Sequence, residues 1–142
     1  MKPPVKINDD ISVAWQIEPS DVADLAAQGF RTIINNRPDG EEPGQPSSAE
    51  VRAAAEKAGM KYVMIPVAGG VMDRATVAAF DKALKDNPGP VLAHCRSGTR
   101  SHFLWALSRV VHHKDDPAKL IAEAGPRGYD LSPLPTLISR LG

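Results

Sequence analysis

The residues best suited to chemistry lie in one short run, His94-Cys95-Arg96-Ser97-Gly98-Thr99-Arg100-Ser101, which contains the only cysteine of the 142-residue chain. A lone cysteine cannot form an internal disulfide, so Cys95 is either packing or a nucleophile. Its neighbours decide for the nucleophile. Backbone N–H groups of a turn through Arg96, Ser97, Gly98 and Thr99 can point inward around an anion, and a helix start beyond them adds partial positive charge. Gly98 permits the positive φ that a tight ring needs. Arg100 can offer two parallel donors to an oxyanion. The same field favours the thiolate over the thiol. Ser101 is expected to donate a hydrogen bond to the sulfur or to a leaving group.

Other side chains are candidates for supporting roles. His94 reads as a brace for the loop rather than a metal ligand, because no second histidine, cysteine or acid stands at ligand spacing; no metal or cofactor is expected. Arg37 is either a contact for a substrate anion or a surface arginine in a polar loop. Arg96 either widens the positive field or points to solvent. Asp39, in Pro38-Asp39-Gly40, reads first as a turn residue in a loop that should border the site. Asp73, with Thr76 three residues on, reads as a helix N-cap. Both aspartates are nevertheless candidates for a proton donor.

The elements around this run alternate strand and helix. A short N-terminal strand or hairpin (Lys6–Ile7, Ile11–Trp15) precedes a helix that Ser20 would cap and Gly29 end. Short buried strands follow at Arg31–Asn35, Met60–Val67 and Val91–His94. Helices are expected from Ser47 or Ser48 to Ala58, from Asp73 to Leu84, from about Arg100 to His112, and over Pro117–Ala124 and Leu134–Leu141. The loop Asn36–Ser47 is rich in proline and glycine. This alternation predicts an α/β three-layer sandwich with a mainly parallel central sheet, in one domain over 1–142. In such sheets ligands bind beyond the carboxyl ends of the strands. Cys95 and the loops after Asn35 and Val67 should therefore meet at one place.

Composition narrows the partners. Seventeen basic residues balance seventeen acidic ones, which argues against a nucleic-acid or membrane-surface partner. No apolar run has the length of a membrane span, and the N-terminus lacks an apolar signal core, so a cytoplasmic location is expected. Aromatics are only 5% of residues, so the core must rest on Val, Leu, Ile and Ala. The expected ligand is a small anion.

Cys-x-x-Gly-x-Arg-Ser, with four residues between Cys95 and Arg100, is similar to the active-site loop of rhodanese sulfurtransferases. The histidine before the cysteine and the serine after the arginine resemble the loop of cysteine-dependent phosphatases, which have five intervening residues. Ile17–Asp21, Gly29–Asn35, Tyr62–Val67 and Val91–Cys95 resemble protein-tyrosine/dual-specificity phosphatases in order and spacing. Together with Arg37–Pro46, Cys95–Ser101 and Gly128-Tyr129-Asp130-Leu131, these segments resemble the phosphatase-like domain of beta-lactamase-hydrolase-like proteins over nearly the whole chain. That resemblance brings in Tyr129 and Asp130 as supporting site residues. It also implies sulfide or persulfide metabolism, since some members are fused to persulfide dioxygenases and described as sulfurtransferases.

Two chemistries compete on these residues. Phosphatases of the resembled type place an aspartate just after the strand equivalent to Tyr62–Val67, where this chain has Ala68-Gly69-Gly70. A general acid contributes about 10²–10⁴ in rate. Sulfur transfer from thiosulfate or a persulfide needs none, because its leaving groups are stable anions. A ring shorter by one residue, up to about 3.5 Å of contour, also suits a single sulfur atom. The sequence thus favours a sulfurtransferase working through a Cys95 persulfide. The alternatives are a phosphatase of aryl phosphoesters working through a phosphocysteine, and a non-catalytic anion-binding module. The last is disfavoured because a binder needs no thiolate.

Overall fold

The computed structural model describes residues 1–141. Five strands, β1 (Val5–Asn8), β2 (Ile11–Ala14), β3 (Thr32–Asn35), β4 (Lys61–Met64) and β5 (Val91–His94), form one sheet in the order β1-β2-β5-β3-β4. Only the β1–β2 pair is antiparallel. Every residue of β2, β3 and β5 is buried, whereas the edge strands β1 and β4 are partly exposed. Near-continuous apolar runs belong in such inner parallel strands, because helices cover both faces.

The helices are α1 (Val22–Ala27), α2 (Ser48–Lys57), α3 (Arg74–Asp86), α4 (Thr99–His113), α5 (Pro117–Ala124) and α6 (Leu134–Arg140), with short 3-10 turns at Pro19–Asp21 and Gly125–Arg127. On one face, Val22, Leu25, Val51 and Ala55 of α1 and α2 pack with Ile33 and Leu92. On the other, Val77 and Phe80 of α3 and Leu104 and Leu107 of α4 pack with Val13, Ile34 and Ala93. Each of the valine, leucine, isoleucine and phenylalanine side chains among these contributes about 1.5–3 kcal/mol by leaving water. The three-layer arrangement expected from the alternation is the one observed.

Local chemistry sets most boundaries. Ser47 caps α2 by accepting from the Glu50 amide, and Asp73 caps α3 by accepting from the Thr76 amide at 2.8 Å. Ser20 does not cap α1. It lies inside the 3-10 turn, where Glu18, two residues before Ser20, and Asp21 form a reciprocal capping box instead. Strand β4 is shorter than Met60–Val67: the Ile65 amide still donates to the Asn35 carbonyl and closes the last pair, but Pro66 has no N–H and Val67 donates to the Asn36 carbonyl out of register.

The register positions the site. Ala14 pairs with His94, His94 with Asn35, and Asn35 with Met64, so the carboxyl ends of β2, β5, β3 and β4 finish level. The segments that follow leave the sheet at a common edge.

Candidate functional site

Strand β5 delivers Cys95, and α4 begins at Thr99. Between them the carbonyls are accounted for. The Arg96 carbonyl accepts from the Gln16 amide at 3.2 Å, and the Ser97 carbonyl accepts from the Tyr129 hydroxyl at 3.0 Å. In a trans peptide the N–H opposes the C=O, so tying these two carbonyls outward turns the Ser97 and Gly98 amides into the ring. The Gly98 amide meets the Cys95 sulfur at 3.1 Å. Gly98 has φ +88°, and a Cβ there would lie 2.3 Å from the Tyr129 hydroxyl oxygen. Both facts require glycine. Ser97 and Thr99 share a hydroxyl hydrogen bond at 2.9 Å.

Two asparagines lock the neighbouring strand ends to this turn. The Asn36 amide donates to the His94 carbonyl, its side-chain nitrogen donates to the Ile65 carbonyl, and its own carbonyl accepts from the Val67 amide. Asn35 accepts from the Arg37 amide at 2.8 Å and donates to the Tyr62 hydroxyl. The loops after Asn35 and Val67 therefore meet at Cys95, as the sheet rule requires.

Ser101 corrects an expectation. It is fully buried, and its hydroxyl donates to the Asn36 side-chain oxygen at 2.8 Å. Its one proton is committed there, so the donor to the sulfur is the Gly98 amide. His94 is buried, with Nδ1 3.4 Å from the Cys95 carbonyl and Nε2 without a partner. Burial, aided by the Arg37 charge, pushes its pKa down to about 4, so the ring is neutral at pH 7.

The arginines are held by carboxylates that the sequence did not single out. Arg37 is buried rather than on the surface, donating from Nε to Glu41 at 2.9 Å, from Nη2 to Glu42 at 2.6 Å and from Nη1 to Gln16 at 3.2 Å. Arg96 is exposed and pairs with Glu42 at 3.1 Å. Arg100 donates from Nη1 and Nη2 to the two oxygens of Glu41 at 2.7 and 2.8 Å, and from Nη1 to the Val67 carbonyl at 2.9 Å. These hydrogen bonds, chiefly those from Arg100, hold the Glu41 carboxyl down to about 2 against the opposing effect of burial. The Arg100 pKa is raised, first by Glu41 and also by the charge of Cys95. Together Arg37, Glu41, Glu42, Arg96 and Arg100 line an open cleft of about 360 Å³.

The remaining candidates divide. Tyr129 belongs to the site as the strut under Ser97 and Gly98; burial and the charge of Cys95 raise its pKa. Asp130 does not, since its exposed carboxylate turns back to the Ser132 amide. Asp73 is committed to the Thr76 amide and hydroxyl. Asp39 accepts from the Ser48 amide and hydroxyl, both at 2.7 Å, seating the loop on α2. Glu41, Glu42 and Asn36 were missed. One cue was present: an acidic pair in a loop leaving a strand end, in a chain whose nucleophile loop carries two arginines.

Residues 5–112 match the family of the beta-lactamase hydrolase-like protein, phosphatase-like domain. A beta-lactamase hydrolase-like protein of Agrobacterium fabrum is 40% identical over 127 residues, which is 89% of this chain and 30% of the relative. The chain belongs to this family. It spans about a third of the length of the curated relatives it matches. A candidate phosphatase from Neisseria meningitidis Z2491 superposes with TM-score 0.82 at 30% identity, covering 96% of this chain and 94% of that one. Tk-PTP in its active form superposes with TM-score 0.75 at 16% identity, covering 99% and 97%; that likeness establishes the shared fold. This is a phosphatase-like α/β fold of the protein tyrosine phosphatase type. Among the described residues no helix is long and apolar enough to cross a membrane.

Proposed function

We propose that this domain is a cysteine-dependent phosphatase acting on small phosphoesters with good leaving groups. One observation carries the reading: the Cys95 sulfur accepts from the Gly98 amide at 3.1 Å, in a turn whose Arg96 and Ser97 carbonyls are tied to Gln16 and Tyr129, with Arg100 beside it. The Cys95 thiolate attacks phosphorus, the P–O ester bond breaks, and the leaving oxygen departs with the electron pair. The inward amides and Arg100 stabilise the charge on the phosphoryl oxygens, usually the largest contribution in such a site. Water then hydrolyses the phosphocysteine, releasing inorganic phosphate and restoring the thiolate. The family and the phosphatase-type fold support this order of preference.

Proton donation limits the substrate. Asp39 and Asp73 are committed elsewhere, and Glu41 is ionised by its arginines. Glu42 is paired with Arg37 and Arg96. Among the described residues lining the cleft, none is a free carboxylic acid that could protonate an alkoxide, so phenol-like leaving groups, with pKa about 10, fit the site and serine phosphate does not. The same observation favours a second reading, transfer of sulfane sulfur from thiosulfate or a persulfide through a Cys95 persulfide, with a persulfide dioxygenase as its associated partner. Intact mass after brief exposure to an aryl phosphate or to thiosulfate separates the two. A trapped phosphoryl group on Cys95 supports the phosphatase; a reducible added sulfur with no ester turnover overturns it.

A further inference from the structure

We propose that Glu41 is the positioning residue that selects which edge of Arg100 faces the reacting anion; the inference rests on the reading of the Cys95 loop as an oxyanion site. A guanidinium carries five N–H donors arranged on distinct edges. Glu41 takes the Nη1/Nη2 edge with both carboxylate oxygens, and the Val67 carbonyl takes the remaining Nη1 proton. What is left is the Nε–H and one Nη2–H, two parallel donors on a single edge, the geometry that grips an oxyanion at two points. Arg100 acts on the ligand, and Glu41 acts through Arg100.

The anchor for Glu41 is itself fixed. Its Oε1 also accepts from Nε of Arg37, which is 3% exposed and further held by Glu42 and Gln16. Arg37 is thus the buried post that sets Glu41, and Glu41 sets Arg100. Three guanidinium groups against two carboxylates leave one net positive charge at the mouth. The cleft lining, Arg37, Glu41, Glu42, Arg96 and Arg100, contains no aromatic wall.

Electrostatics and positioning predict opposite signs, which makes the proposal testable. Glu41 is an anion beside an anion site, so on charge alone its removal tightens ligand binding. If Glu41 positions Arg100, its removal weakens binding. Glu41→Gln keeps one acceptor oxygen and nearly the same shape, but turns an amide nitrogen toward the Nη1 donor. The experiment is calorimetric titration of the intact wild-type chain and of Glu41→Gln, Glu41→Asp, Arg100→Lys and Glu41→Gln/Arg100→Lys with inorganic phosphate and, separately, thiosulfate.

The expected result is binding by wild type, weakened roughly 10- to 100-fold in Glu41→Gln, as for a misplaced positioning group. Glu41→Asp, charged but too short to reach both arginines, should lose affinity as well. In the Arg100→Lys background Glu41→Gln should cause no loss, because the group through which it acts is gone. Equal or tighter binding by Glu41→Gln, or the same loss with and without Arg100, overturns the proposal. Wild type binding neither anion removes the oxyanion-site reading and the proposal with it. Wild type binding thiosulfate but not phosphate removes the phosphatase reading alone, and the variant series is then read with thiosulfate. Circular dichroism and thermal melting of each variant separate misfolding from lost positioning; if Glu41→Gln does not fold, Glu41→Asp and Arg100→Lys with their double variant provide the same cycle.

Discussion

Replacing Gly98 with alanine tests the contact between the anion loop and Tyr129. Gly98 sits at φ +88°, ψ −12°, in a region that costs an L-residue about 1–2 kcal/mol. The new Cβ would lie 2.3 Å from the Tyr129 hydroxyl, 3.1 Å from the ring carbon bearing it and 3.3 Å from the Ala14 carbonyl. The first distance cannot persist. Tyr129 must move, breaking its 3.0 Å hydrogen bond to the Ser97 carbonyl, worth about 1 kcal/mol, and the crowding adds about 1–3 kcal/mol. The expected cost is about 3–6 kcal/mol, or a melting temperature lower by roughly 10–25 °C for a chain of this length. Tyr129→Phe alone should cost about 1 kcal/mol. Because it removes the worst contact, Gly98→Ala/Tyr129→Phe should fall short of the sum of the single effects by at least about 1 kcal/mol. Both variants carrying alanine should also lose turnover, since the Gly98 amide that meets the sulfur is displaced. Denaturant melts of the four proteins measure the cycle. A Gly98→Ala protein melting within about 2 °C of wild type, or strictly additive effects, would refute the reasoning.

Further outcomes follow from the same geometry. Cys95→Ser should abolish turnover of aryl phosphates and of thiosulfate while melting like wild type, because a hydroxyl lacks the thiolate's nucleophilicity at neutral pH; retained activity excludes Cys95 as nucleophile. The rate on a series of phosphate esters should fall steeply with leaving-group pKa, with phosphoserine nearly inert; a flat dependence that Asp39→Asn or Asp73→Asn makes steep would identify a working acid. His94 is held neutral by burial with a folded pKa of about 4 against 6.5 for the unfolded chain. The unfolded state therefore binds the extra proton between those values, and stability should drop as pH falls from about 6.5 toward 4, by on the order of 3 kcal/mol from this residue. Denaturant melts should show a shallower slope over that window in His94→Asn; an unchanged slope would contradict the burial argument. Glu41, whose folded pKa is about 2, contributes stability that is present above the unfolded carboxyl range and lost only as pH falls from there toward 2, so its loss lies mostly below the histidine window.

What the sequence determines here is local in origin. Apolar runs at β3 and β5 marked inner strands, Ser47 and Asp73 marked helix starts, and the Cys95–Ser101 run announced an anion loop, because each effect arises among residues a few positions apart. The meeting of the loops after Asn35 and Val67 with Cys95 was also legible, since strand ends in a parallel sheet share one edge. Which partner each polar group finds was not. Glu41 reaches Arg100 across 59 residues and Asn36 takes the Ser101 proton across 65, and nothing in the local spacing encodes either. The structure buried Arg37, diverted Ser101 from the sulfur, turned Asp130 away and brought two unremarked glutamates over the arginines. Those choices depend on the level register of β2, β5, β3 and β4, because a hydrogen bond acts over about 3 Å and only the assembled sheet brings such distant residues within that reach.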